Sequence, residues 1–419
     1  MASWLRRAMW LGLACGVAVG AAPVRGAPVN WAQTYYDAGH SGYNPKEATL
    51  STANVSGLQL LWGQGVAGGV TSFVLDAGTI YAQGQGTTVP VLAAIDAATG
   101  STLWTITTSY DAFTNGGTVA TGGKLVFAGC SFTDPGGSTS YDAVCGYKKS
   151  NGALVWHFAN PCNCLPEAAL FAPLVYADGA VYFGYANGGA GGTEYLVAAD
   201  AKTGSVLWTH VTGGPNTMGS AAPVVGNGMV YFTCGGNGFS GVCAVSQTDG
   251  SLLWTANFGT GTMGLTLAKN VLYVNAGYAG EVAALNATTG TSLWSFAMNS
   301  SADPVSVAKN VVYATGSDGY VHALKASTGT QKWSLYLASE SSVSLANGVL
   351  YDTQQGANNP ATAAYDAATG SLLWSSPLPA STLHPPQIVA NGTLYITDAA
   401  CGAVCAYGLT GGAAVPKRQ

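Results

Sequence analysis

The chain has 419 residues, a formal net charge of −5 and only 8% charged side chains, against roughly 25% in a typical soluble domain. So long a chain exceeds one ordinary domain unless it repeats itself, and its 58 glycines favour turns and strands over long helices with charged faces. The acidic balance, with no basic stripe to neutralise phosphates, excludes nucleic-acid binding.

Residues 1–26 read as a signal peptide. Arg6 and Arg7 precede the apolar run AMWLGLACGVAVGAA, and VRG before Ala27 offers small residues at the cleavage-reading positions. Cleavage removes Arg6, Arg7 and Arg25, and taking three positive charges from −5 leaves −8. After residue 30 no apolar run is long enough to span a bilayer. The mature chain is therefore expected to lack a transmembrane span and to be secreted, periplasmic or held at the cell surface. With Cys15 removed, eight of the 9 cysteines remain, in a compartment that favours pairing. Residues 27–53 are a leader, and 413–419 a C-terminal tail.

Between them the chain repeats. AIDAATGSTLW ends at Trp104, GYKKSNGALVW at Trp156, AADAKTGSVLW at Trp208 and AVSQTDGSLLW at Trp254. ALNATTGTSLW ends at Trp294, ALKASTGTQKW at Trp333 and AYDAATGSLLW at Trp374. The copies recur about every 40 to 52 residues, the period of a propeller blade. Apolar runs that alternate like strands enter and leave each tight turn. Asp96, Asp200, Asn286 and Asp366 can accept backbone N–H bonds within the turn, and the glycine before each outgoing strand is expected at positive φ. One large flat ring per unit suits the gap between neighbouring sheets.

A second repeat of short hairpins, such as LDAGTIYA, VGNGMVYFT and VANGTLYIT, occurs eight times. Eight hairpins against seven full tryptophan units leave a mismatch that the ends resolve. NVSGLQLLW, ending at Trp62, is an outgoing strand without a unit, and AVCAYGLTGG is a unit that stops short of a tryptophan. The reading is all-β: an eight-bladed β-propeller over 54–412 with four antiparallel strands per blade. The N-terminal strand pairs into the last blade and closes the ring, which removes open sheet edges. Such a ring is expected to be a monomer.

The unit AxDxxTGxxxW resembles the tryptophan-docking motif of the quinoprotein (PQQ)-type propellers. That group includes PQQ dehydrogenases and a non-enzymatic outer-membrane assembly propeller. The segment YDAGHSGYNPKEATLSTANVSGLQLLW also looks like the family's leader. The resemblance implies structural docking roles for Trp62, Trp104, Trp156, Trp208, Trp254, Trp294, Trp333 and Trp374.

With the strands of a blade lettered A to D from axis to rim, the minimal A–B and C–D turns share one face. The long, variable B–C and D–A connections share the other, where function on a rigid scaffold is expected. The D–A loops carry Asp111, Phe113, Cys162, Cys164, Glu167, Met218, Met263, Asp303, Glu340 and His384. This acidic ring with soft and aromatic members reads either as a pocket for a polar or weakly cationic ligand or as a solvated channel mouth. Matched positions pair Cys130 with Cys145 and Cys234 with Cys243 as hairpin staples, with Cys401–Cys405 as a third. The remaining CNC, Cys162 and Cys164, lies in a loop comparable to the one that carries adjacent, cofactor-facing cysteines in PQQ dehydrogenases. The extra Asn163 leaves two readings, a strained redox disulfide or a loop lock.

The dehydrogenase reading requires PQQ with Ca²⁺, and PQQ is a tricarboxylate that resembled enzymes hold with cationic side chains, typically arginine. No arginine lies between Arg25 and Arg418, and the lysines fall in turns on the opposite face, apart from Lys332 beside a docking tryptophan and Lys46 in the leader. There is no CxxCH, no zinc spacing and no GxSxG. No catalytic residue, resident cofactor or metal is therefore expected. The favoured reading is an exported, non-catalytic binding or scaffold propeller whose partner is a protein, a small polar ligand or a glycan on the variable-loop face. A PQQ-dependent alcohol or sugar dehydrogenase is the alternative. A carbohydrate-binding role, resting on Tyr110, Phe113 and Phe132, is a third reading.

Overall fold

A computed structural model describes residues 29–67, 69–84, 91–108, 118–133, 140–158, 169–170, 174–187, 193–213, 222–236, 239–259, 263–277, 279–299, 303–337, 343–353, 362–376, 387–398, 401 and 403–410. They form eight antiparallel sheets of four blade strands each, and the one helix among them is the 3-10 turn Val55–Gly57. Blade 1 runs from strand A, Val70–Asp76, through Thr79–Gly84 and Val91–Asp96 to strand D, Thr102–Thr107. Blades 2 to 7 follow in sequence, with D strands Leu154–His157, Val206–Val211, Leu252–Asn257, Ser292–Ala297, Gln331–Tyr336 and Leu372–Ser375. Blade 8 takes Ile388–Ala390, Thr393–Asp398 and Ala403–Leu409 from the C-terminal end and its D strand, Leu58–Gly65, from the N-terminal end. The ring closes as the orphan Trp62 strand required.

The turn chemistry works locally. Asp96 Oδ1 accepts the N–H groups of Ala98 and Thr99 at 3.0 and 2.9 Å, and Asp200, Asn286 and Asp366 accept the equivalent pairs. The next N–H crosses to the A–B turn of the same blade, as in Ala97 to Gly78 O at 3.0 Å and Ala201 to Gly179 O at 2.9 Å. Both turn sets therefore lie on one face.

Strict alternation fails at one place in every blade. The residue before each tryptophan is an extra, bulged residue: Leu61, Leu103, Val155, Leu207, Leu253, Leu293, Lys332 and Leu373. The bulge turns the tryptophan toward the next blade and leaves most of the preceding apolar side chains exposed, Leu103 by 54% and Leu207 by 55%.

Seven of the indoles lie over a turn glycine of the next blade. A Cβ on Gly204 would sit 2.5 Å from the Trp156 ring, and its φ of 73° already disfavours a side chain. Six indole N–H groups donate into the following blade, for example Trp156 to Ala201 O at 3.0 Å and Trp294 to Ala326 O at 2.8 Å. Trp62 and Trp333 do not donate. At those two joints a B-strand tyrosine takes the matching carbonyl: Tyr313 reaches Ala367 O at 2.8 Å, and Tyr395 reaches Ala97 O at 3.2 Å. Tyr313→Phe is thus expected to lower unfolding free energy by about 1 kcal/mol, because it orphans a buried carbonyl. Tyr273→Phe, whose joint keeps the Trp294 bond, is expected to be near neutral. Paired urea titrations check this, and equal losses in the two variants would refute the exchange of donors.

The leader threads the turn-face end of the axis, where successive A strands meet. It touches the A strand of every blade in order. Trp31 pairs with Leu75; Ala32 O accepts from Thr121; Gln33 binds Tyr176 with both amide atoms at 2.7 Å. Ala38, Gly39, Ser41 and Gly42 then accept from Val225, Leu267, Val307 and Leu345, and Asn44 donates to Val389 O. Asp37 holds the bend by accepting from Gly39 and Ser41. Trp31 and Leu50 are fully buried beneath blades 1 and 8.

Candidate functional site

The B strands run from the turn face to the variable-loop face, and their composition changes on the way. A B-strand aromatic packs on the same blade's tryptophan at about 6 Å between ring centres, as in Tyr81–Trp104, Tyr231–Trp254 and Tyr395–Trp62. Two residues further along stands an uncharged polar side chain: Gln83, Thr233, Asn275, Thr315, Thr353 or Thr397, all buried. Gln83 donates to Gly129 O in blade 2, and Asn275 donates to Asp303 O and Thr315 O in blade 6. Gln387 donates to Thr353 Oγ1. Sequence reasoning missed this belt, although its signal, tyrosine followed two residues on by Gln, Asn or Thr, is legible in the hairpin repeats. It fixes the ends from which the loops leave.

Two of the ten candidate ligand-binding residues fall within the described residues, Met263 and Asp303. Met263 opens the A strand of blade 5 and is 2% exposed, packed with Val224 and Tyr231 between blades 4 and 5. Asp303, half-buried, lies on the connection into blade 6, against which Gly264 packs so closely that a Cβ would meet its carbonyl. Asp111, Phe113, Cys162, Cys164, Glu167, Met218, Glu340 and His384 lie outside the described residues, as do Tyr110 and the side chain of Phe132. The disulfides Cys130–Cys145, Cys234–Cys243 and Cys401–Cys405 are formed, the first two joining B to C strands near the loop face. Among the described residues no group of three or more His, Cys, Asp or Glu side chains is placed to share a metal ion.

Charge is sorted by face. The turn face carries Lys124, Lys148, Lys149, Lys202, Lys269, Lys309 and Lys325, with Lys46 on the leader and Lys332 at the adjoining end of a D strand. They are nearly balanced there by turn carboxylates, and Lys149 pairs with Asp76. The turn carboxylates of Asp200 and Asp249 are held below their ordinary pKa, chiefly by the hydroxyls of Thr203 and Ser251. Toward the loop face the described carboxylates include Glu194, Glu281, Asp303, Asp318 and Asp352, and no described lysine or arginine lies with them. Carboxylates on a rigid rim contribute a negative field that favours cationic partners.

The family model described as outer membrane protein assembly factor BamB matches residues 43–240 and 238–352. In structure the chain is similar to the quinohemoprotein alcohol dehydrogenase of Comamonas testosteroni, at TM-score 0.70 and 16% identity, over 93% of this chain and 82% of that one. It is also similar to BamB from Moraxella catarrhalis, at TM-score 0.61 and 17% identity, over 84% and 99% of the two chains. The computationally designed Ika8 protein matches at TM-score 0.62 and 17% identity over the same shares. At these identities the likenesses show the fold alone. No curated protein matches the chain in sequence.

Proposed function

The chain belongs to the PQQ-type propeller-repeat family whose model is described as outer membrane protein assembly factor BamB, and from that premise we propose that it is an exported, non-catalytic propeller that binds a cationic partner on its loop face. The observation that carries this reading is the sorting of charge. Every lysine from Lys46 to Lys332 lies toward the turn face, while the described carboxylates Glu281 and Asp318 lie toward the other. The assembly-factor name borne by the family model and by the Moraxella relative supports a scaffold. Export accords with the signal-like residues 1–26 and with three disulfides, which persist in oxidising compartments. Among the described residues no helix is long and apolar enough to cross a membrane.

The similarity to an alcohol dehydrogenase raises PQQ as a ligand, and the residues present do not fit it. A tricarboxylate needs cationic donors. The loop face offers carboxylates instead, the lysines are committed to the opposite side, and no arginine lies between Arg25 and Arg418. No oxidative step is derived.

The test uses the mature protein on an immobilised lysine-rich peptide across a salt series. Glu281→Gln with Asp303→Asn is expected to weaken retention about tenfold at low salt and to flatten its salt dependence. Retention and slope identical to the parent's would remove this face from consideration.

A further inference from the structure

Blade 6 departs from the repeat at its outer, loop-face corner. Three residues beyond the tryptophan, where both residues are described, the D strand faces a fixed partner at the start of strand C. In four of the six blades where that pair is described it is small, polar or mixed: Val91 with Thr107, Gly241 with Asn257, Glu281 with Ala297, Ala403 with Gly65. Blade 3 has Tyr195 with Val211. Blade 6 has Tyr320 with Tyr336, both exposed, by 40% and 57%. Their rings stand edge to face at 5.2 Å, so the more exposed Tyr336 keeps a free surface.

Polar groups surround the pair. Asp318, exposed in the B–C turn, accepts from the Tyr320 N–H at 3.1 Å and from Asn299 of blade 5 at 3.3 Å. His322 lies beside Tyr320, with its Nδ1 3.0 Å from Gln331 Oε1, and the Gln331 amide donates to Ser334. Phe296 of blade 5 closes the inner wall against His322. The result is a cleft between blades 5 and 6 with an aromatic platform at its mouth and a carboxylate, two amides and a hydroxyl along its sides.

We propose that this cleft binds a neutral oligosaccharide, with one pyranose ring stacked on Tyr336 and its hydroxyls bonded by Asp318 and Asn299. The chemistry selects that class. A pyranose presents apolar C–H groups on its face and a girdle of hydroxyls, matching rings flanked by planar carboxylate and amide groups. A membrane surface or a phosphorylated ligand calls for cations, and Lys332, on the same strand, stands at the bulge toward its other end. A protein hot spot calls for rings packed among apolar neighbours, whereas these tyrosines border polar side chains. The site does not depend on the loop-face reading, since none of its residues enters that test.

Affinity electrophoresis of the mature protein through gels containing cellulose-, xylan-, starch- or chitin-derived soluble glycans tests the assignment. At least one glycan is expected to retard the parent protein. Tyr336→Ala is expected to weaken that binding by about tenfold, the scale of one lost aromatic contact. Tyr336→Phe, which keeps the ring, is expected to stay within about twofold. Exposure of this side chain lets both variants fold, which an unchanged melting temperature verifies. No retardation by any glycan, or retardation that survives Tyr336→Ala, overturns the proposal. So does retention of the parent on an uncharged peptide matrix in place of every glycan, which would assign the cleft to a protein partner.

Discussion

A chain that begins at Leu58 is expected to close the same eight-bladed ring and to be less stable than one that begins at Val29 by about 5 kcal/mol or more, a large share of the whole in a natural domain. The closing strand Leu58–Gly65 and Trp62 remain, so ring closure is not what is lost. What is lost is the leader. Its contacts with Leu75, Thr121, Tyr176, Val225, Leu267, Val307, Leu345 and Val389 tie all eight A strands together at the turn-face end. Water can replace each bond at a net cost of about 1 kcal/mol. It cannot replace the buried faces of Trp31 and Leu50, worth about 2 kcal/mol each, and the ordering entropy saved by omitting the leader offsets part of the sum. Denaturant titration of the two chains measures the difference. Equal stabilities would reduce the leader to a surface strap.

The leader also shows where the sequence was readable and where it was not. The tryptophan units and hairpins announced blade number, closure and turn face, because each sits in side chains with a repeated job: Asp96 capping a turn, Gly204 leaving room for Trp156. The leader's passage around the axis is written almost wholly in backbone carbonyls of Ala32, Ala38, Gly39, Ser41 and Gly42, and a carbonyl has no letter. The bulge before each tryptophan was hidden for a related reason. In SLLW or STLW nothing tells a reader that two successive residues share one partner position. The sorting of lysines to the turn face was legible, because their placement in the turns is visible in the strings themselves. The candidate site itself stays an expectation: eight of its ten residues fall on connections outside the described residues, where no repeat constrains the reading. The Tyr320–Tyr336 pair needed the cross-strand register to become visible at all.

Low charge content by itself predicts a stability nearly flat from about pH 7 to pH 4, since carboxylate titration drives most acid unfolding. One buried group bends that profile. His40 sits in the leader, 1% exposed, bonded through its ring to the backbone of Leu265 in blade 5, with Nδ1 lacking a partner. Its ring neighbour is Tyr35 at 5.5 Å. Burial lowers its pKa from 6.5 to about 4. The unfolded chain therefore binds a proton between those values that the folded chain refuses, and stability must fall as pH drops through that window. The full loss is about 3 kcal/mol. Asp37 works the other way. Burial raises its pKa against the bonds from Ser41 and Gly39, so the folded state takes up that proton first, and acid relieves part of the loss at the lower end. The expected result is a fall in unfolding free energy of about 2–3 kcal/mol from pH 7 to pH 4 for the parent protein. In His40→Gln, whose amide can still donate to Leu265 O, the fall is expected to be largely absent. Denaturant titrations at both pH values decide it: parallel profiles in parent and variant would mean that the axial imidazole is already solvated, and that the leader seals the ring less tightly than its contacts require.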